Sequence, residues 1–232
     1  MSLADRILFE DNHLIIVNKL AGEIVQGDKT GDIPLVEEVR QYLKERYNKP
    51  GNVFCGLVHR IDRPVSGAVI FAKTSKALAR MNELVKERHI SKIYWALVER
   101  APEIPEQKLV DYVKKDERTN KTAVSPTPKP GFVEAELAYR VVRTLTHYTL
   151  LEVELYTGRH HQIRAQLAAH GCIIKGDLKY GAKRSNRDGS ISLHSYRVRF
   201  EHPVRHETVE VTAPLTGEMA RIVGGCEDRM KR

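Results

Sequence analysis

One carboxylate, Asp62, lies between two arginines, Arg60 and Arg63, in a polar break between two apolar runs. Pro64 fixes its own φ and Gly67 relaxes the backbone before the second run, so the break is predicted to be a tight loop. One interpretation of the pattern is a salt bridge that ties down the loop. The other is a carboxylate that the guanidiniums keep ionised for use as a nucleophile or base. For an arbitrary Arg-x-Asp-Arg sequence the first interpretation is favoured, and the residue types alone leave both open.

Two further side chains have chemistry that suits a site. Tyr94 lies in an aromatic and β-branched run predicted to be a strand, where composition favours a core tyrosine. Arg164 lies in a segment that follows Gly158 and is predicted to be a helix ending near Gly171. The histidines His160 and His161 precede that helix. No spaced set of cysteine, histidine and carboxylate accompanies them, so a metal site is not favoured.

The order of several motifs identifies a family resemblance. Residues 59–67 read His-Arg-Ile-Asp-Arg-Pro-Val-Ser-Gly, which resembles the catalytic signature His-Arg-Leu-Asp-x-x-Thr-Ser-Gly of RluA-type RNA pseudouridine synthases. Residues 157–164, Thr-Gly-Arg-His-His-Gln-Ile-Arg, and the Gly-Asp and Tyr of residues 176–181 are similar to a second family motif. Residues 92–98 resemble its Lys-x-Tyr-x-Ala-x-Val strand, and Asn18-Lys19 resembles a weaker N-terminal motif. The matches keep the family's order over residues 14–181.

The resemblance implies roles for three residues. Asp62 is the candidate carboxylate at the ribose, acting either on C1′ as a nucleophile or on C2′ as a base. Arg164 would pair with Asp62 and keep it ionised, and Tyr94 would stack on the uracil and help to remove the C5 proton. The reaction is an isomerisation without redox change, so no cofactor and no metal are required.

The resemblance also implies a polynucleotide partner, either ribosomal or transfer RNA with a stem-loop whose target uridine is flipped out of the stack. Arg60 would fill the gap that the flipped base leaves, although phosphate pairing is the alternative. The residues expected to bind RNA are His59, Arg60, Arg63, Arg159, His161, Gln162, Lys183 and Arg184.

Four residues depart from the family pattern. Val65 removes a threonine hydroxyl from the signature, and Ile61 replaces a leucine. Gln166 and Cys172 stand where histidines are common. These changes leave the activity expected and the substrate open.

The charge distribution agrees with a polyanion partner. The formal net charge is +8, and residues 156–200 alone contain nine Lys/Arg against two acidic residues. Local charge of one sign favours binding of a polyanion, but a solvated face is equally consistent with charge alone. A non-catalytic basic RNA-binding or ribosome-assembly module therefore remains the alternative function. A glycoside or nucleoside hydrolase would need a second carboxylate, and Asp177 reads as a structural turn residue.

Composition limits the cellular setting. The 232 residues contain three well-separated cysteines, Cys55, Cys172 and Cys226, which favour free thiols in a reducing compartment. No apolar run approaches the ~18 residues of a membrane helix, and the N-terminus lacks the apolar core of a secretory signal. We expect a cytoplasmic monomer that is not bound to a membrane.

Hydrophobic periodicity predicts the fold class. Strands are predicted at 14–19, 56–58, 68–73, 91–99, 132–142, 148–156, 191–200 and 207–213, and helices at 34–47, 75–88 and 161–170, with weaker strands over 109–126. This order predicts an α+β fold with a mixed, largely antiparallel sheet flanked by helices. We expect one catalytic domain over 1–232 without an N-terminal S4-like RNA-binding domain. Its ordered core should span about 5–215, with a mobile loop at 183–189 and a frayed C-terminal tail.

Overall fold

The computed structural model describes residues 2–27 and 31–224. The described residues fold into two compact units, one within residues 2–91 and 195–215 and the other within residues 92–194 and 216–224. The helices are α1 (Leu35–Arg46), α2 (Ser75–Lys86), α3 (Gln162–Ala169) and α4 (Gly217–Gly224). The strands are β1 (Ile7–Glu10), β2 (Leu14–Lys19), β3 (Gly56–Leu57), β4 (Ser66–Ala72), β5 (Ser91–Val98), β6 (Glu106–Asp116), β7 (Lys121–Ser125), β8 (Val133–Thr144), β9 (Thr149–Leu155), β10 (Leu193–Glu201) and β11 (Thr208–Thr212).

The first unit is organised around β2 and β4. Every residue of these two strands is buried, as expected for an apolar run that is covered on both faces. The strands β1, β2, β4 and β10 follow one another in the sheet, while β3 pairs with β4 and β11 with β10. The antiparallel register of β2 and β4 starts at Leu14 opposite Ala72 and ends at Lys19 opposite Gly67. This register places the only lysine of β2 beside the entrance to β4.

The helix α2 covers one face of that sheet. Its buried residues Ala77 and Met81 join a core cluster with Leu14, Ile16 and Ile70. The helix begins after Thr74, whose hydroxyl accepts a hydrogen bond from the backbone N–H of Ala77 at 3.1 Å. Thr74 therefore satisfies one of the free N–H groups of the first turn.

The second unit contains an antiparallel meander. Its strands lie in the order β5, β9, β8, β6 and β7, and each neighbouring pair is antiparallel. In the middle of β6, from Leu109 to Val113, buried residues alternate with residues whose side chains are more exposed. The helix α3 packs against β6 and β7. The sequence that carries the second family motif therefore forms a buried helix on the strand pair β6–β7.

The predicted α+β class with a largely antiparallel, helix-flanked sheet is confirmed, and so are the main strands and helices. The short strand β1 and the helix α4 were not predicted, because segments of four and eight residues are short for recognition from periodicity. The predicted end of the ordered core at about residue 215 is wrong, since α4 extends to Gly224. The last eight residues lie outside the described residues, and the prediction of a single domain stays a prediction. Among residues 2–27 and 31–224, no helix is long and apolar enough to cross a membrane.

A buried histidine ties β10 to the turn before β2. His202 is fully buried, and its Nε2 lies 2.9 Å from the Asp11 carboxylate. Its Nδ1 accepts hydrogen bonds from the backbone N–H groups of Val204 and Arg205 at 3.2 and 3.0 Å. An acceptor at Nδ1 requires the neutral tautomer with its proton on Nε2. Burial lowers the pKa of His202, against the opposite effect of Asp11.

This histidine predicts a pH dependence of stability. Because the folded-state pKa lies below the unfolded value of about 6.5, the unfolded chain binds more protons as the pH falls through that window. The free energy of unfolding should therefore decrease as the pH is lowered from 7 to 5. The decrease is about 1.4 kcal/mol for each unit by which folding lowers the pKa of His202.

Chemical denaturation across this pH range, with wild type and His202→Asn, measures the effect. The asparagine oxygen can replace Nδ1 as an acceptor without titrating, so the variant should lose part of the slope. The exposed His206→Asn in the same turn is the matched control. A slope that is equal in wild type and His202→Asn would contradict the prediction.

Candidate active site

The Asp62 carboxylate belongs to a tight turn between β3 and β4. The backbone N–H of Val65 donates to the carbonyl of Asp62 at 3.0 Å, and the N–H of Gly22 donates to the carbonyl of Arg63 at 2.8 Å. Gly67 closes the segment with φ +114°, and a Cβ atom there would lie 2.3 Å from the carbonyl oxygen of Ser195. Glycine is therefore required at this position both by its backbone conformation and by the close approach of β10.

A buried ammonium group holds this turn in place. Lys19 is 0% exposed, and its Nζ donates to the carbonyls of Leu20, Arg63 and Val65 at 2.9, 3.1 and 2.6 Å. Three acceptors match the three N–H donors of the charged form. Burial lowers the pKa of Lys19 to about 7, although the carboxylates of Glu23 and Asp62 oppose this effect. Lys19 is thus bonded to the carbonyls on both sides of Pro64, although only a weak motif marks it in the sequence.

The basic side chains around Asp62 have different surroundings. The ring Nε2 of His59 accepts a hydrogen bond from the backbone N–H of Ile70 at 3.3 Å, which joins it to β4. Arg63 is exposed and pairs with Asp32 at 2.7 Å. Arg60 is exposed, and its side chain forms no hydrogen bond or ion pair with the described residues. Of the three predicted RNA contacts on this loop, Arg60 has the least engaged side chain.

The predicted stacking residue lies in the second unit. Tyr94 is 6% exposed in β5 and is opposite Val153 of β9. Two residues earlier on the same strand, Lys92 lies with its Nζ 3.9 Å from the position of a Cβ at Gly158. Burial lowers the pKa of Lys92. A half-buried ammonium beside the candidate stacking residue is a feature that the sequence reading treated only as part of a motif.

The arginine of α3 is fixed by an ion pair that the sequence reading did not expect. Arg164 Nε and Nη2 donate to the two carboxylate oxygens of Asp177 at 2.7 and 2.9 Å. Both side chains are at least 95% buried, and the guanidinium carbon lies 5.2 Å from the ring centre of Tyr180. This two-pronged geometry fixes the plane of the guanidinium. The predicted pairing of Arg164 with Asp62 stays a prediction.

The two histidines before α3 connect it to β7. Their rings stack with centroids 3.8 Å apart. The hydroxyl of Tyr180 accepts a hydrogen bond from the backbone N–H of Thr122 at 2.7 Å and lies 3.0 Å from His161 Nδ1. The Tyr180 proton can therefore be donated to His161, which leaves the proton of that neutral ring on Nε2. His161 also has φ +49° at the start of α3, so the backbone turns sharply there.

The predicted RNA contacts Arg159 and Gln162 lie in the same turn. Arg159 is exposed, and its Nε donates to the carbonyl of Glu134 at 3.0 Å. Gln162 is 3% exposed, and its amide is bonded at both ends, accepting from the Thr157 hydroxyl at 2.8 Å and donating to Gln166 at 2.9 Å. The RNA contact predicted for Gln162 stays a prediction, whereas its observed bonds build the turn that precedes Arg164.

The two departures from the family pattern near α3 have structural explanations. Gln166 is fully buried and donates to Asp111 and to the carbonyl of Ala135 at 2.8 and 3.2 Å. Asp111 also lies 3.1 Å from His170 Nε2. Cys172 is 1% exposed and its thiol contacts the carbonyl of His170 at 3.8 Å. Both residues therefore act in the packing of α3.

The structure collects the predicted residues into one group in each unit. The first contains His59, Arg60, Asp62 and Arg63 on one loop. The second surrounds α3 and adds Tyr94 on β5, while Lys183 and Arg184 are exposed on a later loop. In the part of the chain that is described, no three His, Cys, Asp or Glu side chains form a group that could hold a metal ion.

The comparisons with known proteins identify the family of this chain. A family model described as RNA pseudouridylate synthase matches residues 13–169. "Ribosomal large subunit pseudouridine synthase C" of Pasteurella multocida is 32% identical over 98% of this chain and 69% of its own length. The protein of the same name from Buchnera aphidicola (subsp. Acyrthosiphon pisum) is 33% identical over 92% of this chain and 68% of its own length.

Solved structures support the fold. "Human RNA Pseudouridylate Synthase Domain Containing 4" aligns with a TM-score of 0.80 at 20% identity, over 96% of this chain and 93% of that one. "Human RNA Pseudouridylate Synthase Domain Containing 1" gives 0.70 at 20% identity, over 96% and 94%. The family match covers more than half of the chain, and the chain therefore belongs to the RNA pseudouridylate synthase family of RluA type. The chain is an isomerase that acts on RNA. The family match and the named relatives favour this enzymatic function over a non-catalytic RNA-binding module.

The buried lysine generates a prediction about the catalytic turn. Lys19→Met keeps an unbranched side chain but removes the ammonium donor from the carbonyls of Leu20 and Val65, whereas the carbonyl of Arg63 keeps the N–H of Gly22. The free energy of unfolding should fall by about 1–3 kcal/mol for each carbonyl that finds no other partner. The turnover rate at saturating RNA should fall as well, because the turn that begins at Asp62 loses its anchor.

Lys73→Met is the matched control for Lys19→Met. Lys73 is also a buried lysine of the first unit, but it pairs with Glu10 at 2.7 Å, away from the turn. This control should lose stability without a comparable loss of rate. Single-turnover kinetics and denaturant unfolding of both variants make the comparison. Equal single-turnover rates for Lys19→Met and Lys73→Met would show that Lys19 contributes only to the stability of the protein.

The buried ion pair of α3 generates a second prediction. Asp177→Asn keeps the size but removes the charge opposite Arg164. Breaking a buried pair on one side typically lowers the free energy of unfolding by about 3–5 kcal/mol, and the retained amide should keep the loss near the lower end. Glu152→Gln, in the more exposed pair with Arg140, should lose no more than about 1 kcal/mol. Thermal or denaturant unfolding measures both, and similar losses would contradict a special role of the buried pair.

Proposed function

We propose that this enzyme converts a uridine of large-subunit ribosomal RNA into pseudouridine. The relatives from Pasteurella and Buchnera carry this substrate in their names, and their alignments cover at least 92% of this chain. Transfer RNA is the alternative substrate. Pseudouridine mapping in ribosomal and transfer RNA from cells with and without the protein separates the two. A change confined to transfer RNA would overturn the ribosomal assignment.

The reaction breaks the bond between uracil N1 and ribose C1′, turns the base and joins C5 to C1′. The C5 proton leaves and N1 takes up a proton, so the atoms and electrons balance without a redox partner. We assign the sugar-side step to the Asp62 carboxylate, whether it attacks C1′ or removes a proton at C2′. The observation that carries this assignment is the buried Lys19 ammonium. It binds the carbonyls of Arg63 and Val65, the first and third residues after Asp62. A buried cation at that place restricts the backbone that carries the carboxylate.

Tyr94 and Arg164 complete the proposed machinery. Tyr94 stacks on the uracil and assists removal of the C5 proton once the new C–C bond has formed. We assign Arg164 as the cationic group of the proposed machinery, and Asp177 sets the orientation of its guanidinium. The half-buried Tyr180 supports that guanidinium through the face of its ring.

The RNA contacts are proposed on the basis of exposure and charge. A uridine in a stem has to leave the base stack, and the exposed Arg60 is suited to occupy the gap. Arg63, Arg159, Lys183 and Arg184 are exposed and suited to phosphates, and His59 and His161 lie on the corresponding loops. A cytoplasmic location and a monomeric state are part of the proposal. Cell fractionation and sedimentation of the enzyme with and without RNA test these two statements.

Asp62→Asn is the direct test of the catalytic assignment. The substitution keeps the shape of the side chain and removes the charge that either route at the sugar requires. Release of tritium from RNA that contains 5-tritiated uridine should be lost, while RNA binding measured by fluorescence anisotropy should be retained.

Asp32→Asn is the matched control for Asp62→Asn. This exposed carboxylate pairs with Arg63 of the same turn and has no role in the proposed chemistry. Its turnover should stay close to that of the wild type. Near-normal tritium release by Asp62→Asn would remove Asp62 from the mechanism, whereas equal losses in both variants would indicate disruption of the turn instead of a lost catalytic group.

A further inference from the structure

The loop of residues 182–190, between the short helix Leu178–Tyr180 and β10, is built around a buried amide. The sequence reading expected its residues 183–189 to be mobile. In the structure Asn186, at the centre of the loop, is 2% exposed although its neighbours Ser185 and Arg187 are exposed. A polar side chain that turns inward under an exposed loop needs partners inside the protein.

Those partners engage both ends of the amide. Asn186 Oδ1 accepts a hydrogen bond from Lys175 Nζ at 2.5 Å. Its Nδ2 donates to the hydroxyls of Ser190 and Ser192 at 3.0 and 3.1 Å. A Cβ atom at Gly176, which has φ +86°, would lie 2.7 Å from Asn186 Oδ1. The amide therefore fits closely between the base of the loop and its last residues.

The helix α4 fixes the loop from a second direction. Glu218 forms an ion pair with Lys175, and its other carboxylate oxygen accepts from the backbone N–H of Arg187 at 2.8 Å. Asp188 in turn accepts from the backbone N–H groups of Ser190 and Glu218 at 3.1 and 3.3 Å. The loop is thus fixed at its centre and near its end by side-chain bonds in addition to its backbone.

Three of the four charged side chains on the exposed side of this loop are cations, Lys183, Arg184 and Arg187, and within the described residues these side chains form no hydrogen bond or ion pair. The fourth, Asp188, is also exposed, but its carboxylate accepts hydrogen bonds from the backbone. The cations of the buried layer, in contrast, are paired, since Lys175 is 9% exposed and bonded to Asn186 and Glu218. Paired charges underneath and unpaired cations on top are the arrangement expected for a preformed surface that receives an external anion.

A short segment of the chain links this loop to Arg164. Lys175, which holds Asn186, is separated by one residue from Asp177, which holds Arg164. The segment from Lys175 to Asp177 therefore fixes the basic loop through one residue and the α3 arginine through another. A phosphate held by the loop would be held relative to Arg164 by a short, buried segment.

We propose that Asn186 and Glu218 are positioning residues that hold residues 182–190 as a preformed phosphate-binding loop for the RNA substrate. The inference rests on the proposed function, because it takes RNA as the ligand. Preorganisation reduces the conformational entropy lost on binding, so the three cations bind phosphates together without first ordering the loop. The contacts are to the backbone of the RNA and set its register, while the sequence is recognised elsewhere.

The test compares RNA binding by wild type, Asn186→Ala and Ser185→Ala across a salt series, with fluorescence anisotropy of a ribosomal stem-loop that the wild type modifies. Asn186→Ala releases the loop but removes no charge. Its affinity should fall about tenfold, and the log–log slope of affinity against salt should become shallower by about one to two, the effect of losing one or two phosphate contacts. The exposed Ser185→Ala should bind as the wild type does.

A double-mutant cycle separates positioning from a general loss of stability. If Asn186 acts through the cations, Asn186→Ala should have no further effect on RNA affinity in a variant that carries Lys183→Ala, Arg184→Ala and Arg187→Ala. A purely structural role would give the same loss in both backgrounds and would leave the salt slope unchanged. Either of those two results overturns the proposal.

A second variant covers the possibility that Asn186→Ala does not fold. Glu218→Ala removes the bond to the Arg187 backbone from outside the loop and should reproduce the shallower salt slope. An unchanged slope in folded Glu218→Ala would contradict the role of Glu218. Tritium release by the wild type is measured on the same RNA. No release from any ribosomal or transfer RNA would reject the proposed function, whereas normal release with unchanged binding by the loop variants would reject only this inference.

Discussion

The interaction on which the candidate site most depends is the contact of one buried ammonium with three backbone carbonyls. Lys19 ends β2, and the register of β2 with β4 places it opposite Gly67. From there its Nζ reaches the carbonyls of Leu20, Arg63 and Val65. A turn has few strand partners for its carbonyls, and a buried carbonyl without a donor is destabilising. An apolar core residue at position 19 would fill the same space but leave the turn that carries Asp62 without these bonds.

A similar arrangement recurs around α3 in the second unit. Asp177 follows Gly176 and fixes the guanidinium of Arg164 through two hydrogen bonds. Tyr180, three residues later, bonds the backbone of Thr122 and lies beside His161. One short segment therefore sets the arginine, the turn into the helix and its connection to β7. Each of these contacts is directional, whereas hydrophobic packing alone would leave the orientation of the guanidinium free.

Much of this architecture could be predicted from the sequence, and the exceptions have physical reasons. The strand Leu14–Lys19 and the helix α2 follow from apolar periodicity, which reports burial directly. The location of Asp62 and Arg164 followed from motifs. The partner of Arg164 did not, because Asp177 is 13 residues away and a Gly-Asp pair reads as an ordinary turn. The roles of Lys19 and Asn186 were missed because lysine and asparagine side chains are usually exposed, and only the tertiary structure reveals that these two are buried.

The predicted mobility of residues 183–189 stays a prediction, but the loop shows that a composition typical of mobile segments can also form internal bonds. Residues 183–189 are polar and contain glycine, which is the usual signature of a mobile segment. The same polar side chains supply donors and acceptors, however, and in this loop Asn186 and Asp188 use them internally. Binding of a charged ligand benefits from cations that are exposed but not free to move, and an apolar anchor could not satisfy the backbone of so short a loop. A loop that is fixed by polar bonds therefore has the composition of a flexible one, and the difference lies in which of its side chains are buried.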